Sequence, residues 1–259
     1  MTSIDKLLPG GKGVWIPIDH GVSDYPVPGL ENLEKIITLL ARGGADAIVA
    51  QKGVISSYSH LHPGKMVAHL SVSTRHAGGN SSDKILVGTV EESLSRGAAG
   101  VSVQVNMGSE AEPEMIRRLA EISNQSFKSK TPLLGMIYPR GENLSLMEGD
   151  TTDGAAHAAR LGFELGCDVV KTKWTGDIAS FKKVCDAVPI PVLIAGGPAG
   201  STDREVLEIV YQAMLAGAGG VCMGRQVFSH PHPDKMVRAL REIVHSGKDV
   251  DQAIAASGL

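Results

Sequence analysis

Short apolar runs alternate with amphipathic stretches along the whole chain. Most of the eight apolar runs are nearly continuous in hydrophobic residues, which is typical of parallel strands that are buried on both faces. Between them, apolar residues recur with the helical period. The eight predicted strands are Val14–Asp19, Ala45–Lys52, Val67–Val72, Gly100–Asn106, Pro132–Tyr138, Asp168–Lys173, Pro191–Ala195 and Gly219–Met223.

The amphipathic stretches predict helices that lead from one strand to the next. Several end in glycine just before the following strand, as helix C-termini often do. The predicted helices are Leu30–Arg42, Val90–Arg96, Glu110–Lys128, Thr152–Leu165, Ile178–Ala187, Asp203–Ala216, Pro233–His245 and Val250–Ala256.

Eight strands with crossover helices predict an α/β fold, a (β/α)8 TIM barrel that spans residues 1–259 as one domain. A doubly wound open sheet is the competing fold, but it rarely carries so many regular units. The chain also has no opening GxGxxG motif. The polar segment Ser73–Lys84, which follows the third strand, predicts a long loop over the barrel mouth.

Composition narrows the class of protein. Of the 259 residues 42% are hydrophobic, and the net charge is −3. That balance gives no reason to expect a nucleic acid or a membrane as partner. Cys167, Cys185 and Cys222 show no metal-binding spacing, which indicates reduced thiols. Without an apolar segment of membrane-spanning length or a signal core, the chain is expected to be soluble and cytoplasmic.

Lys171 is the first candidate for chemistry, because an apolar strand runs directly into it. Side chains alternate along a strand, so Lys171 and Lys173 are expected to point the same way. Two neighbouring ammonium groups lower each other's pKa, and an uncharged amine can attack a carbonyl. The alternative is that both lysines only extend into water at the strand end.

Asp19 and Tyr138 end two other predicted strands. In a barrel the carboxyl ends of the strands face the reaction site, so both are expected near Lys171. A carboxylate and a phenol beside an amine that forms an imine could act as proton acceptor and donor. The alternatives are an Asx-type turn at Asp19 and a buried core phenol at Tyr138.

Glycines follow the last two strands, at Gly196, Gly197 and Gly224. At these positions a barrel commonly binds phosphate through backbone N–H groups, and Arg225 would add a guanidinium. The alternative is a pair of tight turns beside a surface arginine. Taken together, the two glycine turns and Arg225 favour phosphate binding.

Four segments carry a resemblance to a known family, and the likeness extends over nearly the whole chain. They resemble the archaeal-type class I aldolases. Within these they are closest to the synthases that transfer a three-carbon unit to L-aspartate semialdehyde, and they are also similar to the archaeal fructose-bisphosphate aldolases. The segments are Met136–Gly141 (MIYPRG), Val169–Asp177 (VVKTKWTGD), Ala195–Pro198 (AGGP) and Met223–Arg225 (MGR).

The resemblance implies roles for particular residues. Lys171 would form the Schiff base, Tyr138 would donate protons and Asp19 would accept them. It also implies a TIM barrel, no cofactor, and a homo-oligomer that is often a decamer. The substrates would be a phosphorylated keto-sugar and a small aldehyde, in a reaction of aromatic amino acid biosynthesis. The implied substrate-binding residues are His20, Gly21, Val22, Ser23, Pro139, Arg140, Lys173, Gly196, Gly197, Gly224 and Arg225.

The chain departs from the family pattern at three residues. Trp174 stands where tyrosine is usual, Gln104 where histidine is common, and Ala199 where a lysine follows the Gly-Gly-Pro turn. The stretch 143–150 is also slightly longer than usual. These departures leave the imine chemistry in place and bear on the choice of substrate.

The histidines raise the possibility of a metal site, which would need three converging ligands on rigid strand ends. Most of them are expected in loops without a helical HxxxH spacing, so we predict no catalytic metal. Loop histidines that reach the substrate or a neighbouring subunit are the preferred interpretation. The histidines in question are His60, His62, His69, His76, His230 and His232.

Several functions fit this pattern. The first is the three-carbon transfer to L-aspartate semialdehyde. The others are reversible cleavage of fructose 1,6-bisphosphate and a related addition of dihydroxyacetone phosphate to aspartate semialdehyde in secondary metabolism. A barrel that binds sugar phosphates without catalysis would have the same fold, because fold alone does not decide function.

Overall fold

The predicted apolar runs form eight parallel strands that close into a barrel. A computed structural model describes residues 3–146, 152–196 and 200–259. Neighbours in the barrel are also neighbours in the chain, and the last strand pairs with the first. This confirms the predicted (β/α)8 barrel. In chain order β1 to β8 are Gly13–Pro17, Ala47–Ala50, Met66–His69, Gly100–Met107, Leu133–Pro139, Val169–Thr172, Val192–Ala195 and Gly220–Cys222.

Helices surround the barrel and cover its outer face. All the predicted helices are present within a few residues of their expected ends, and two short ones, α2 and α8, are additional. The helices α1 to α10 are Leu33–Gly43, Lys52–Tyr58, Val90–Ser95, Glu112–Ser129, Thr152–Glu164, Ile178–Asp186, Asp203–Leu215, Arg225–Phe228, Pro233–Val244 and Val250–Ser257.

Local signals in the sequence explain where several helices begin and end. Thr202 and Glu205 form a capping box at the start of α7, which satisfies backbone N–H groups that lack a helical partner. Helix α1 is followed by Gly44 as its C-cap, whose φ of 91° is a left-handed conformation that glycine adopts without strain. These caps direct each chain segment back towards the next strand.

The alternation of side chains along each strand divides the core into two layers. One layer packs the outward-facing side chains against the helices. The other fills the barrel interior with side chains that include Trp15, Val49 and Leu193. At the amino end of the barrel, Leu7 and Leu8 close the interior, and Trp15 Nε1 donates a 2.8 Å hydrogen bond to the Leu7 carbonyl. The interior is therefore open towards its carboxyl end.

A short antiparallel ribbon and a series of 3₁₀ turns lie over that carboxyl end. The ribbon pairs Ser71–Val72 with Ile85–Leu86. The turns between its strands span Arg75–Ser82. The prediction of a long loop over Ser73–Lys84 is thus confirmed, with more local order than a plain loop.

An ionic cluster fixes the opposite, amino end of the barrel to helix α9. Asp46 is buried before β2, and its carboxylate accepts hydrogen bonds from Arg241 at 2.8 Å and from the Val14 backbone N–H at 2.9 Å. His245 Nε2 lies 2.6 Å from the same carboxylate. Burial alone would raise the pKa of Asp46, but these partners hold it below its ordinary value.

Replacing Asp46 with alanine should therefore destabilise the fold. It leaves Arg241 without its carboxylate partner, so we expect a loss of about 3 kcal/mol in the free energy of unfolding. Because the folded-state pKa is lowered, the contribution of Asp46 is present above its unfolded pKa of about 3.9. It disappears as the pH falls through the folded value. Urea titrations at pH 7 measure the loss of stability, and urea titrations at a series of lower pH values measure its pH dependence. Asp186→Ala, which removes an exposed pair with Lys182, is the control. Equal losses for the two variants would contradict the prediction.

Candidate active site

A cavity of about 400 Å³ opens at the carboxyl end of the barrel. It lies where the strand ends converge, and most of its polar side chains come from the ends of β1, β5, β6 and β8. The residues that line it are Pro17, Asp19, His20, Ser23, Asp24, Val27, Lys84, Gln104, Met136, Tyr138, Arg140, Lys171, Ala195, Gly196, Cys222, Gly224, Arg225 and Gln226.

Lys171 lies at the base of this cavity. Strand register places it beside Met136 of β5 and Leu193 of β7, and its side chain points into the barrel. It is only 8% exposed. The Tyr138 hydroxyl and the Cys222 thiol are near enough to its ammonium group to shift its pKa. The strand thus holds one amine at a fixed position facing the cavity.

The charge on Lys171 differs from the sequence expectation. Burial lowers its pKa, but Cys222, Tyr138 and Asp19 together raise it above the ordinary value. The expectation that Lys173 would keep this amine uncharged is therefore wrong. Burial raises the pKa of Cys222 to about 11 and also raises that of Tyr138, so both are neutral near pH 7. Asp19 is then the anion that stabilises the ammonium form.

Asp19 lies in a turn at the end of β1, between two histidines. His69 Nε2 is 3.8 Å from one carboxylate oxygen, and His20 Nδ1 is 3.9 Å from the other. Burial opposes ionisation of Asp19, yet His69, His20 and Lys171 lower its pKa below the usual value. His69 is itself fixed by a 2.8 Å hydrogen bond between its Nδ1 and the Ser102 hydroxyl. The site thus contains a carboxylate that stays ionised.

Tyr138 completes the group around Lys171. It is 8% exposed near the carboxyl end of β5, and burial raises the pKa of its phenol despite the nearby Lys171. The guanidinium carbon of Arg140 lies 4.9 Å from the centre of its ring. The hydroxyl therefore remains protonated and can donate a proton into the cavity.

Glycine is required at the end of β8 because the chain passes close to β1. A Cβ atom at Gly224 would lie 2.7 Å from the Pro17 carbonyl oxygen and 2.7 Å from His20 Cε1. Gly196, which follows β7, and Arg225 line the cavity with Gly224. Burial lowers the pKa of the nearby His20; Asp19 opposes this, and the charges of Lys171 and Arg225 add to it. Two glycines and a guanidinium group thus line the cavity together.

The structure brings together most of the residues singled out from the sequence, but not all. Those in the cavity are Asp19, His20, Ser23, Tyr138, Arg140, Lys171, Gly196, Gly224 and Arg225. Those that do not line it are Gly21, Val22, Pro139 and Lys173. Gly197, Ala199 and part of the stretch 143–150 lie outside the described residues.

Four residues lie in or beside the cavity at positions that the sequence did not indicate. Lys84 and Cys222 line the cavity, and His69 contacts Asp19. Gln104, noted only as a departure from the family, also lines the cavity. These side chains lie in a polar loop or within apolar strands. The hydrophobic pattern of such segments does not show which side chains face the cavity.

Two other residues noted in the sequence, Trp174 and His62, lie outside the cavity. Trp174 is partly buried and packs against Phe181 of α6, with ring centres 5.1 Å apart, and it is not a cavity residue. His62 Nε2 lies 2.8 Å from the Ala45 carbonyl oxygen, as in a structural histidine. Within the described ranges, no group of three or more His, Cys, Asp or Glu side chains is arranged to hold a metal ion.

Fold and site together define a barrel with an amine, a carboxylate and a phenol at its open end, as in an aldolase. A family model of the DeoC/LacD family aldolases matches residues 14–230. The chain therefore belongs to the DeoC/LacD aldolase family, which confirms the resemblance that its motifs carry.

Relatives and solved structures agree with this assignment. The chain is 40% identical to 2-amino-3,7-dideoxy-D-threo-hept-6-ulosonate synthase of Halobacterium salinarum, over 94% of this chain and 91% of that one. It is 38% identical to 2-amino-4,5-dihydroxy-6-oxo-7-(phosphonooxy)heptanoate synthase of Streptomyces griseus, over 94% and 88%. An archaeal fructose 1,6-bisphosphate aldolase structure superposes with a TM-score of 0.84 at 31% identity, covering 95% of this chain and all of that one.

Proposed function

We propose that this chain is a Schiff-base aldolase in which Lys171 forms the covalent intermediate. One observation carries the proposal: the buried Lys171 amine faces the cavity, where Tyr138 and the Asp19 carboxylate interact with it electrostatically. A structure at 30% identity and a TM-score of 0.82 is an archaeal fructose-1,6-bisphosphate aldolase with its catalytic lysine bound to a carbinolamine intermediate. That similarity supports the same chemistry here.

The first step is activation of the amine. Lys171 is protonated before substrate binds, so it must lose a proton before its lone pair can attack a ketone carbon. Asp19 is ionised and can accept that proton directly or through water. The adduct is a carbinolamine, and loss of water from it leaves an iminium ion that serves as an electron sink.

The second step is transfer of a proton at the carbon–carbon bond. Cleavage needs the substrate hydroxyl to lose its proton while the bonding electrons move into the iminium, which gives an enamine. Asp19 can accept this proton because its lowered pKa keeps it ionised, and Tyr138 can donate a proton because its raised pKa keeps the phenol protonated. Addition of the enamine to a second aldehyde reverses these movements.

We assign the substrates as a phosphorylated keto-sugar and L-aspartate semialdehyde. The activity would be that of 2-amino-3,7-dideoxy-D-threo-hept-6-ulosonate synthase, in the formation of aromatic amino acids. The enzyme would take a three-carbon unit from a deoxy-hexodiulose phosphate, release hydroxypyruvaldehyde phosphate, and add the unit to L-aspartate semialdehyde. The 40% identity to the synthase of Halobacterium salinarum supports this choice.

Two aldol reactions compete with this assignment. Similarity to the archaeal aldolase structures favours cleavage of fructose 1,6-bisphosphate. The Streptomyces griseus relative favours addition of dihydroxyacetone phosphate to aspartate semialdehyde. Product assays with each donor and acceptor pair distinguish them. Borohydride reduction followed by peptide mass spectrometry tests the shared intermediate, and binding of every keto-sugar without an adduct would instead indicate a non-catalytic barrel.

Arg225 and the glycines near it would hold the phosphate of the keto-sugar. Arg225→Met removes a charge-assisted hydrogen bond, which is worth about 1.5–3 kcal/mol. We expect KM for the phosphorylated ketose to rise roughly tenfold to a hundredfold, with a smaller change in kcat. Steady-state kinetics measures this, and the unphosphorylated ketose is the control substrate. A similar rise in KM for both ketoses would contradict a phosphate contact.

The cellular location and the assembly of the enzyme are also proposed. No helix among the described residues is long and apolar enough to cross a membrane. We assign the chain to the cytoplasm as a homo-oligomer, possibly a decamer, that acts without metal, cofactor or nucleic acid. Light scattering on the purified protein measures the oligomer size, and activity after exhaustive chelation tests the metal independence.

A further inference from the structure

His69 and Ser102 form a buried polar pair beside the cavity, and the proposed proton transfers make no use of them. His69 ends β3, Ser102 lies in β4, and the parallel register places the two residues opposite each other. His69 is 3% exposed, Ser102 is fully buried, and neither lines the cavity. Any effect of this pair on a bound substrate must therefore pass through a residue that does line the cavity.

The imidazole of His69 lies between a hydroxyl and a carboxylate. Its Nδ1 is 2.8 Å from Ser102 Oγ. Its Nε2 is 3.8 Å from a carboxylate oxygen of Asp19, which does line the cavity. The ring thus connects a side chain on a rigid strand to the carboxylate that is proposed to accept protons.

The imidazole is neutral near pH 7. Burial has the largest effect and lowers its pKa; Asp19 opposes this, and the charges of Lys171, Lys84 and His20 add to it. His69 therefore acts on Asp19 through the dipole of a ring N–H and not through a full positive charge.

The position of the single ring proton follows from the two neighbours. A neutral imidazole has one N–H, and its other nitrogen is an acceptor with a lone pair. A lone pair directed at the Asp19 carboxylate would be repelled, so the N–H belongs on Nε2. Nδ1 is then the acceptor, and the Ser102 hydroxyl donates to it.

Asp19 depends on such a neighbour because it lies in a turn. It begins the 3₁₀ turn Asp19–Val22 that follows β1. Burial raises its pKa, and His69 is the group that opposes this most, ahead of His20 and Lys171. At 3.8 Å the contact with His69 is longer than a hydrogen bond, but contacts between catalytic groups often shorten when substrate binds.

We propose that His69 is a positioning residue for Asp19. The Ser102 hydroxyl directs the His69 Nε2–H to one carboxylate oxygen, and the other oxygen is left to exchange protons with Lys171 and the substrate. This proposal rests on the Schiff-base function of Lys171. It assigns a role to two buried side chains that touch no substrate.

Two substitutions of His69 separate positioning from a merely structural role. In His69→Gln the amide nitrogen can take the place of Nε2 and donate to Asp19. In His69→Asn it takes the place of Nδ1, so it reaches Ser102 but leaves Asp19 without a donor. A structural role would be preserved better by asparagine, and a positioning role by glutamine.

The pH dependence of kcat/KM measures the difference, with the donor and acceptor pair that gives the fastest turnover. Loss of the N–H disfavours the carboxylate form, so in His69→Asn the acid limb should move to higher pH by about one unit. The kcat on the plateau should also fall about tenfold or more, because a misplaced base transfers protons slowly. His69→Gln should keep the limb near its original position.

The control is His62, a second buried histidine that lies outside the cavity and contacts the Ala45 carbonyl oxygen. His62→Asn and His62→Gln should both leave the acid limb in place. Should His69→Asn be unstable in thermal unfolding, Ser102→Ala provides the same test, since its limb should move in the same direction. Equal acid limbs in His69→Asn and His69→Gln, or an unmoved limb in Ser102→Ala, would overturn the positioning role.

Nitrogen-15 NMR of the histidine-labelled protein tests the arrangement without turnover, and solid-state spectra allow for a large oligomer. The His69 signals, assigned by their loss in His69→Gln, should show the proton on Nε2, and Ser102→Ala should weaken that preference. A proton on Nδ1 in the unchanged protein would contradict the proposal. Absence of a borohydride adduct on Lys171 would overturn the proposed function instead, and it would not alter these spectra.

Discussion

Lys171→Met is expected to reduce kcat by about 10⁴-fold or more, because the covalent step loses its nucleophile. Methionine has a similar length and fits an apolar strand without an unpaired charge. The cavity should stay formed, since the side chain is replaced within the packed carboxyl end of β6. Steady-state turnover and mass spectrometry after borohydride reduction measure the effect, and no reduced adduct should be found.

Control measurements make the Lys171 result specific. Lys12→Met removes a lysine at the exposed amino end of the barrel and should retain both turnover and the adduct. Thermal unfolding of both variants identifies any loss of fold. Retention of full turnover by Lys171→Met would show that another amine forms the imine, and Lys173 would be the next candidate.

Tyr138→Phe is expected to lower kcat by about 10²- to 10⁴-fold, the usual contribution of a positioned proton donor. The ring remains, so packing against neighbouring interior side chains changes little. The adduct on Lys171 should still form, because the amine and Asp19 are intact, but proton transfer during bond cleavage should be slow. Single-turnover measurements that follow adduct formation and product release separately distinguish these steps.

The matched control for Tyr138 is Tyr211→Phe. Tyr211 lies on α7, partly buried and outside the cavity, so loss of its hydroxyl should leave kcat unchanged. A Tyr138→Phe enzyme with a kcat within fivefold of the original would assign proton donation to another group. Equal slowing of adduct formation and cleavage would indicate that Tyr138 acts mainly by positioning Lys171.

The strands could be predicted from sequence because the barrel buries both faces of each one. Continuous apolar runs placed all eight strands within a few residues of their true ends. The sequence does not predict helix α2, because the apolar run favours one strand over the whole of Ala45–Lys52. In the structure β2 ends at Ala50, and the short helix begins at Lys52 with too few apolar residues to show a helical period.

The candidate site could be predicted in part. Asp19, Tyr138 and Lys171 follow from the rule that strand ends meet at one face of a barrel, and the structure brings them together. The pKa of Lys171 could not be predicted, because it depends on Cys222 and Asp19, which are far away in sequence. The sequence suggested Lys173 as the residue that shifts the pKa of Lys171, because it shows only the spacing of residues along one strand.

By itself the sequence determined the order of strands and helices, the barrel and the residues at most strand ends. These depend on the local periodicity of hydrophobic residues and on the capping and turn residues between them. Only the tertiary structure decided the charge of Lys171, the contact of His69 with Asp19 and the approach of Lys84 to the cavity. Each of these depends on distances between segments that the chain brings together only on closing the barrel. Electrostatic interactions act through those distances and not along the sequence.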